Sequence, residues 1–346
     1  VAGLNASLFA ALRARELRAR VGAFVAALAV VVVAALPAAR ASRTPADATW
    51  VRVGVVQPNV QQEIRWVPGE ESIESDLFRQ TRELVDSSTP KPALVLWPES
   101  ALPHGWQRVR PQVEALCREK NVAILLNTVW VDAASEPAEP GGAEPPYYNA
   151  ALLVTKDGPV LPPYKKVRLV PFGEYVPLGP LLRKIRPISR AVPGSFTPGE
   201  SPMAIPFGAV KLGGAVCYEV VYPWIQREAV RRGANLLFTL TNDAWYGTLG
   251  ARHQHWQAAV FRAVETGRPL VRAAITGISG AIDPRGVVKA RIDEDRKGSF
   301  VVDLALGGPP APAVAVGEAP LAICAAFLFA VILRRRVLTP REPAAA

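Results

Sequence analysis

Short, continuous apolar runs alternate with segments of helical spacing through most of the chain. Runs without alternating polar positions predict strands buried on both faces, and apolar residues recurring every three to four positions predict amphipathic helices. The predicted strands lie at 51–57, 93–97, 122–128, 147–155, 210–216, 235–241, 270–279, 281–283, 287–292 and 300–304. The predicted helices lie at 70–85, 107–120, 222–232 and 253–266. This alternation predicts an α/β domain.

Two further apolar runs flank that domain, at 21–39 and 320–333, and each borders a group of arginines on its outer side. About 20 apolar residues cross a bilayer, and basic flanks stay on the cytoplasmic side. The alternatives are a signal peptide ending near Ala39 and a buried helix at 320–333. The expected segments are a membrane segment at 1–40 with a span at 21–39, an extracytoplasmic domain at 41–310, and a carboxy-terminal segment at 311–346 with a span at 316–333.

The formal net charge of the 346-residue chain is +10. Much of it lies in the two arginine groups, and no basic groove interleaved with aromatic residues is visible, so we expect a membrane partner and no nucleic acid. Three cysteines, Cys117, Cys217 and Cys324, form no disulfide framework. His253 and His255 are two positions apart on a predicted helix and therefore point to different sides, so we expect no metal site; no motif indicates a cofactor.

Two reactive side chains stand where predicted buried strands end, which is where open α/β sheets present their chemistry. Cys217 follows the strand at 210–216, and Glu99 follows the strand at 93–97. A thiol attacks only as thiolate, and a partly desolvated carboxylate can take its proton. Lys165 or Lys166 could stabilise the thiolate and an oxyanion, and only one of them faces inward if the chain is extended. Taken singly, each of these residues could instead be a core cysteine, a solvated carboxylate or a surface lysine.

Long motifs surround these residues: WPESALP at 97–103, LVPFGEYVP at 169–177, CYE at 217–219 and TNDAWYG at 241–247. Together with Gln57, Asn59 and Trp66 they resemble the nitrilase superfamily and, within it, the apolipoprotein N-acyltransferase branch, over about residues 50–333. The resemblance fixes Lys166 as the lysine and implies a four-layer α-β-β-α sandwich flanked by transmembrane helices. It also implies that a phospholipid acylates Cys217, which then passes the acyl chain to the α-amine of a diacylglyceryl-cysteine on a lipoprotein.

Roles for individual residues follow from this reading. Glu99 is the expected general base, and Lys166 and the backbone N–H of Tyr218 are expected to bind the oxyanion. The other expected site residues are Glu174 and Glu219, supporting Lys166 and the nucleophile turn, and Trp66, Asn149 and Trp245, lining the substrate pocket. The mixed apolar and basic segment 175–190 is expected to touch lipid headgroups.

The sequence departs from the family at its amino end. The family has several spans before the catalytic domain, whereas this chain shows one and begins at Val1, so we expect a fragment. The expected location is the bacterial inner membrane, with the catalytic domain on the periplasmic side. The alternative function is a membrane-tethered amidase or nitrilase-type hydrolase, in which water replaces the lipid amine. A catalytically dead binding domain is disfavoured because Glu99, Lys166 and Cys217 are all present.

Overall fold

The structure is a computed structural model. It describes residues 48–60, 73–102, 105–132, 145–178, 195–246 and 250–326, with isolated positions at 9, 21–22, 24–25, 28 and 329. Several predicted features lie wholly or mostly outside these residues: the span at 21–39, Trp66, the loop at 133–146, the part of 175–190 after residue 178 and the carboxy-terminal end of 316–333.

Within the described residues, six strands form a first sheet, sheet I, in the order β12-β1-β2-β3-β4-β5. Its strands are β1 (Thr49–Gln57), β2 (Leu94–Leu96), β3 (Ala123–Val131), β4 (Tyr147–Thr155), β5 (Gly158–Lys165) and β12 (Gly298–Leu306). Strands β1, β2 and β3 are parallel, and the remaining pairs are antiparallel. The helices α1 (Ile73–Asp86) and α2 (Trp106–Lys120) connect the three parallel strands.

Sheet II repeats this plan, with the order β11-β10-β9-β8-β7-β6 in the described part of the chain. Its strands are β6 (Ala204–Phe207), β7 (Val210–Val216), β8 (Leu236–Thr241), β9 (Leu270–Ala274), β10 (Ser279–Ile282) and β11 (Val288–Ile292). Strands β7, β8 and β9 are parallel, and they are connected by α3 (Pro223–Arg231) and α4 (Ala251–Thr266).

Three apolar layers hold the elements in a four-layer α-β-β-α sandwich. The middle layer packs one face of each sheet against the other, as Val55 and Leu125 of sheet I share a core with Leu212 and Phe238 of sheet II. The outer layers pack α1 and α2 on sheet I, and α3 and α4 on sheet II. The central strands are buried on both faces, which explains why their sequences are continuous apolar runs. The predicted α/β sandwich is therefore confirmed.

The predicted strand at 270–279 is wrong beyond Ala274. The chain turns there, and Ser279 begins the next strand, with its hydroxyl oxygen accepting the Ala274 N–H across the turn at 2.9 Å. Strand β6 was not predicted at all.

Residues 312–316 and 319–326 are helical at the carboxy-terminal side. Within the described ranges, none of the helices combines the length and apolar character that a membrane span requires. The flanking spans stay predictions.

Candidate active site

Cys217 lies at a sharp turn where β7 ends and a short 3₁₀ helix, Cys217–Val221, begins. Its φ is +54°, a left-handed conformation that is uncommon for a residue with a side chain. A strand-to-helix turn of this kind presents a nucleophile above the edge of a sheet, and backbone strain of this kind clusters at functional sites. Only 8% of Cys217 is exposed, so the thiol points into a nearly closed site.

The carboxylate of Glu219 holds this turn in place. It is fully buried and accepts backbone N–H bonds from Val216 at 2.8 Å, Val167 at 2.7 Å and Arg168 at 2.9 Å. The Tyr164 hydroxyl donates a fourth bond at 2.8 Å. Since Tyr164 and Val167 belong to the β5 end of sheet I, Glu219 ties the nucleophile turn of sheet II to the opposite sheet. This position agrees with the supporting role expected for Glu219.

Glu99 reaches the same place from sheet I. It follows β2 and is 5% exposed. Its Oε1 accepts from the Asn149 side-chain amide at 3.0 Å and lies 3.8 Å from Lys166 Nζ. Its Oε2 accepts the backbone N–H of Asn242 at 2.9 Å. A carboxylate held by three groups on two sheets has a fixed direction, as a general base requires.

The two neighbouring lysines point in opposite directions, as an extended chain requires. Lys166 is 1% exposed and its Nζ lies 2.8 Å from Glu174 Oε1. Lys165 instead binds Asp132 at 2.7 Å and lies over the Tyr148 ring. The inward lysine is the one indicated by the motif, and Glu174 is its partner.

The electrostatics suit a thiol that keeps its proton until a base removes it. Burial raises the pKa of the Cys217 thiol; the charge of Glu99 and a hydrogen bond to it act in the same direction, while Lys166 acts against them. Burial alone would lower the pKa of Lys166, but Glu99, Cys217 and Glu174 outweigh it and the pKa is raised. Lys166 is therefore an ammonium throughout the neutral pH range.

Asn149 was expected to line a substrate pocket, and its side chain is engaged in the carboxylate network. Its Nδ2 donates to Glu99 and, at 2.8 Å, to Glu174, while its Oδ1 accepts from Asn127 Nδ2 at 2.6 Å. Asn127 in turn accepts the backbone N–H of Ser100 at 2.8 Å. Sequence reasoning missed Asn127, although an asparagine inside the apolar run AILLNTVWV was a usable signal.

Tyr218 and Trp245, the remaining predicted residues that the structure describes, are both exposed. Tyr218 is 39% exposed and Trp245 is 70% exposed, so both have free surface beside the nucleophile turn.

Cys117 is a core residue, and burial raises its pKa to about 12. Among the described residues, no group of three His, Cys, Asp or Glu side chains is arranged to hold a metal ion.

The carbon-nitrogen hydrolase family pattern matches residues 52–308. Solved structures with this fold include a carbon-nitrogen hydrolase from Helicobacter pylori G27, with a TM-score of 0.55, 17% identity, and coverage of 74% of this chain and 89% of that chain. An amidase from Nesterenkonia sp. gives a TM-score of 0.51 and 21% identity over 79% of this chain and 95% of that chain. At this level of identity, these likenesses concern the fold.

Curated relatives are closer in sequence. The apolipoprotein N-acyltransferase of Geobacter metallireducens is 36% identical over 69% of this chain and 44% of the relative. That of Rhodopseudomonas palustris is 35% identical over 83% of this chain and 54% of the relative. The chain thus spans about half the length of these relatives. The resemblance drawn from the motifs is confirmed.

Proposed function

The chain belongs to the carbon-nitrogen hydrolase family, and we propose that within it the chain transfers an acyl group from a phospholipid to the α-amine of a diacylglyceryl-cysteine on lipoproteins. The observation that carries the proposal is the meeting of a buried thiol, a fixed carboxylate and a buried ammonium where the two sheets come together. The acyl donor and acceptor are inferred from the name that the curated relatives share, apolipoprotein N-acyltransferase.

The first half-reaction acylates Cys217. Glu99 takes the thiol proton as the sulfur attacks the ester carbonyl carbon, because the raised pKa of the thiol leaves little thiolate at rest. The oxyanion is stabilised by the Lys166 ammonium and the backbone N–H of Tyr218. Collapse breaks the bond to the glycerol oxygen, and Glu99 returns its proton to that oxygen. The products are a thioester on Cys217 and a lysophospholipid.

The second half-reaction resolves the thioester. The amine nitrogen attacks the thioester carbonyl carbon, Glu99 takes one amine proton, and the same two donors stabilise the oxyanion. The carbon–sulfur bond then breaks, and the proton passes from Glu99 to the sulfur. Glu174 and Asn149 keep the ammonium and the base at a fixed separation in both steps.

We place the catalytic domain, residues 41–310, on the periplasmic side of the bacterial inner membrane, between membrane segments at 1–40 and 311–346. The arginine groups at both ends support this orientation. The helical residues after 318 also support it, since Leu321 and Ile323 are 70% and 68% exposed, and exposed apolar side chains on a helix suit contact with lipid. Trp66 and Trp245 are proposed to contact the substrates.

The competing function is hydrolysis of an amide, and the fold shared with an amidase is the observation in its favour. The same three residues could serve either reaction, so the nucleophile that resolves the acyl-enzyme decides between them. For a transferase, the acyl-enzyme must persist in water until an amine arrives.

The test uses the full chain in mixed micelles with phosphatidylethanolamine, followed by intact-mass analysis. We expect a mass increase of one acyl chain on the wild type and none on Cys217→Ala. Adding a diacylglyceryl-cysteine peptide should discharge the adduct with formation of an amide. Absence of the adduct, or discharge by water as fast as by the peptide, would overturn the transferase proposal.

A further inference from the structure

A second chain of polar groups, buried at Asp243 and His255 and half-buried at Tyr246, follows the strand next to the nucleophile strand and is not used in the steps above. Strand β8 is parallel to β7, with Leu240 opposite Val216, so the residues that follow the two strands lie side by side. Asp243 and Tyr246 begin and end a 3₁₀ turn immediately after β8, and His255 faces this turn from α4.

The hydrogen-bond directions in this chain can be assigned from Asp243 outward. Asp243 is fully buried, and its Oδ2 lies 2.6 Å from Arg272 Nη2. Burial alone would raise the pKa of Asp243, but Arg272 and His255 hold it well below its ordinary value. The carboxylate is therefore ionised and only accepts, so His255 Nδ1, at 3.2 Å, must donate.

This assignment leaves Nε2 as the ring nitrogen that meets Tyr246, whose hydroxyl oxygen lies 3.4 Å from it. Whether this nitrogen accepts the hydroxyl proton or donates to the oxygen, the oxygen keeps at least one lone pair for another partner. The two rings also meet edge to face, with centroids 5.0 Å apart, and this contact restrains the phenol.

Tyr246 is linked to the nucleophile turn through His255. His255 stacks at 5.7 Å against Tyr218, the residue directly after the nucleophile. Burial raises the pKa of Tyr246, and the charges of Cys217, Asp243 and Glu99 raise it further. Glu99 is bound to Asn242 N–H, one residue before Asp243. The segment 242–246 thus contacts the base at its first residue and carries the tyrosine at its last.

We propose that Tyr246 binds the incoming primary amine of the acyl acceptor by accepting one of its N–H bonds. The inference rests on the proposed function. A neutral primary amine carries two protons and one lone pair. If Glu99 accepts one proton and the Tyr246 oxygen holds the other, the lone pair faces the thioester carbonyl carbon. His255 and Asp243 are positioning residues, which keep the tyrosine oxygen turned toward the amine.

The proton balance of the transfer step is unchanged by this contact. The nitrogen–carbon bond forms and the carbon–sulfur bond breaks. One amine proton moves through Glu99 to the Cys217 sulfur. The proton held by Tyr246 stays on nitrogen and becomes the N–H of the product amide.

The test separates the half-reactions in Tyr246→Phe, which deletes only the hydroxyl, with Tyr147→Phe on the exposed face of β4 as the matched control. Acyl-enzyme is formed with phosphatidylethanolamine, isolated, and mixed with a diacylglyceryl-cysteine peptide. We expect Tyr246→Phe to acylate within about twofold of the wild type and to transfer about tenfold more slowly, the range for one lost hydrogen bond. The control should be unchanged in both steps.

A second acceptor, the same peptide with an N-methylated amine, makes the test specific. Its neutral amine has a single N–H, which must go to Glu99, so Tyr246 has nothing to hold. The tenfold penalty of Tyr246→Phe should therefore vanish with this acceptor, while steric effects of the methyl group cancel in the comparison.

Four results would overturn the inference. Equal transfer rates for the wild type and Tyr246→Phe would show that the hydroxyl does not bind the amine. Equal slowing of acylation and transfer, or the same penalty with both acceptors, would show a structural role. If the wild type forms no acyl-enzyme, the proposed function itself fails and this inference fails with it.

Discussion

Replacing Lys166 by Met tests whether the buried ammonium has both a structural and a chemical role. Methionine approximates the length of the lysine stem and removes the charge. Lys166 Nζ lies 2.8 Å from Glu174 Oε1 and 3.8 Å from Glu99 Oε1, and the lysine is 1% exposed. The variant therefore leaves two nearly buried carboxylates without their cation.

The size of the effect follows from these distances. At an effective dielectric constant of about 20, the two attractions are each about 4–6 kcal/mol. Most of this offsets the cost of taking the ammonium out of water, and breaking a buried pair by removing one partner typically costs about 3–5 kcal/mol. For a domain of this size that loss lowers Tm by about 6–20 °C. Loss of an oxyanion donor should also slow acylation by about 10²–10³-fold.

Lys165→Met is the matched control because it makes the same change one residue earlier. Lys165 pairs with Asp132 at the surface, and exposed pairs contribute about 0–1 kcal/mol. A double variant, Lys166→Met with Glu174→Gln, removes one of the unpaired carboxylates. We expect it to recover about half of the lost stability and none of the lost acylation rate. Thermal unfolding by circular dichroism and intact-mass kinetics measure the two quantities separately.

The pH dependence gives a further check. The pKa of Lys166 is raised in the folded state, so its stabilising contribution is complete below the unfolded pKa of about 10.4 and is lost only above it. The titration of Lys166 itself should therefore add no pH dependence to the stability difference between the wild type and Lys166→Met below about pH 9. Unchanged stability in Lys166→Met, or a larger loss in Lys165→Met, would refute the reasoning.

The other predictions concern the nucleophile turn and the sheet beneath it. Cys217→Ala should abolish acyl-enzyme formation while changing the free energy of unfolding by only about 1 kcal/mol, and Cys217→Ser should acylate far more slowly because an alkoxide forms less readily than a thiolate. Glu219→Gln should lower the free energy of unfolding in urea by about 2–4 kcal/mol, since a buried backbone N–H loses its acceptor. Tyr164→Phe removes one of the four donors to this carboxylate and should lower it by about 1.5 kcal/mol. Equal losses in the two variants would contradict this reasoning. Gly214→Ala should cost about 3 kcal/mol by calorimetry, because its Cβ would lie 2.0 Å from the Phe238 ring, and a Tm equal to that of the wild type would show that the ring can move.

The apolar pattern predicted an α/β domain because strands buried on both faces are continuous apolar runs, and the family resemblance added the four-layer sandwich. Strand β8, for example, is buried at every position and has no charged residue. The short strand β6, Ala204–Phe207, has no continuous apolar run and was not predicted, since it lies at the edge of sheet II and contains a proline.

Within the site, local rules succeeded and long-range pairing failed. Alternation along an extended chain predicts that Lys165 and Lys166 diverge, and helical geometry predicts that His253 and His255 diverge. Neither rule tells which residue of each pair faces inward. The motif identified Lys166 as the inward lysine, and no feature of the sequence identified the inward histidine. The partners of Asn127 depend on the register of β3 against β4, which pairs Thr128 with Ala150 and is set by packing of the whole sheet.

The site is divided between the two sheets, and each sheet contributes a carboxylate that binds the other. Glu219, from the nucleophile turn of sheet II, accepts N–H bonds from residues after β5 of sheet I. Glu99, from sheet I, accepts the Asn242 N–H of sheet II. Correct placement of Glu99 against Cys217 therefore depends on the packing of the two sheets. It follows that Gly214→Ala, whose Cβ would press on Phe238 in the core between the sheets, should lose some activity in its folded fraction as well. Variants of Cys217 or Lys166 should lose activity without any such shift of the sheets.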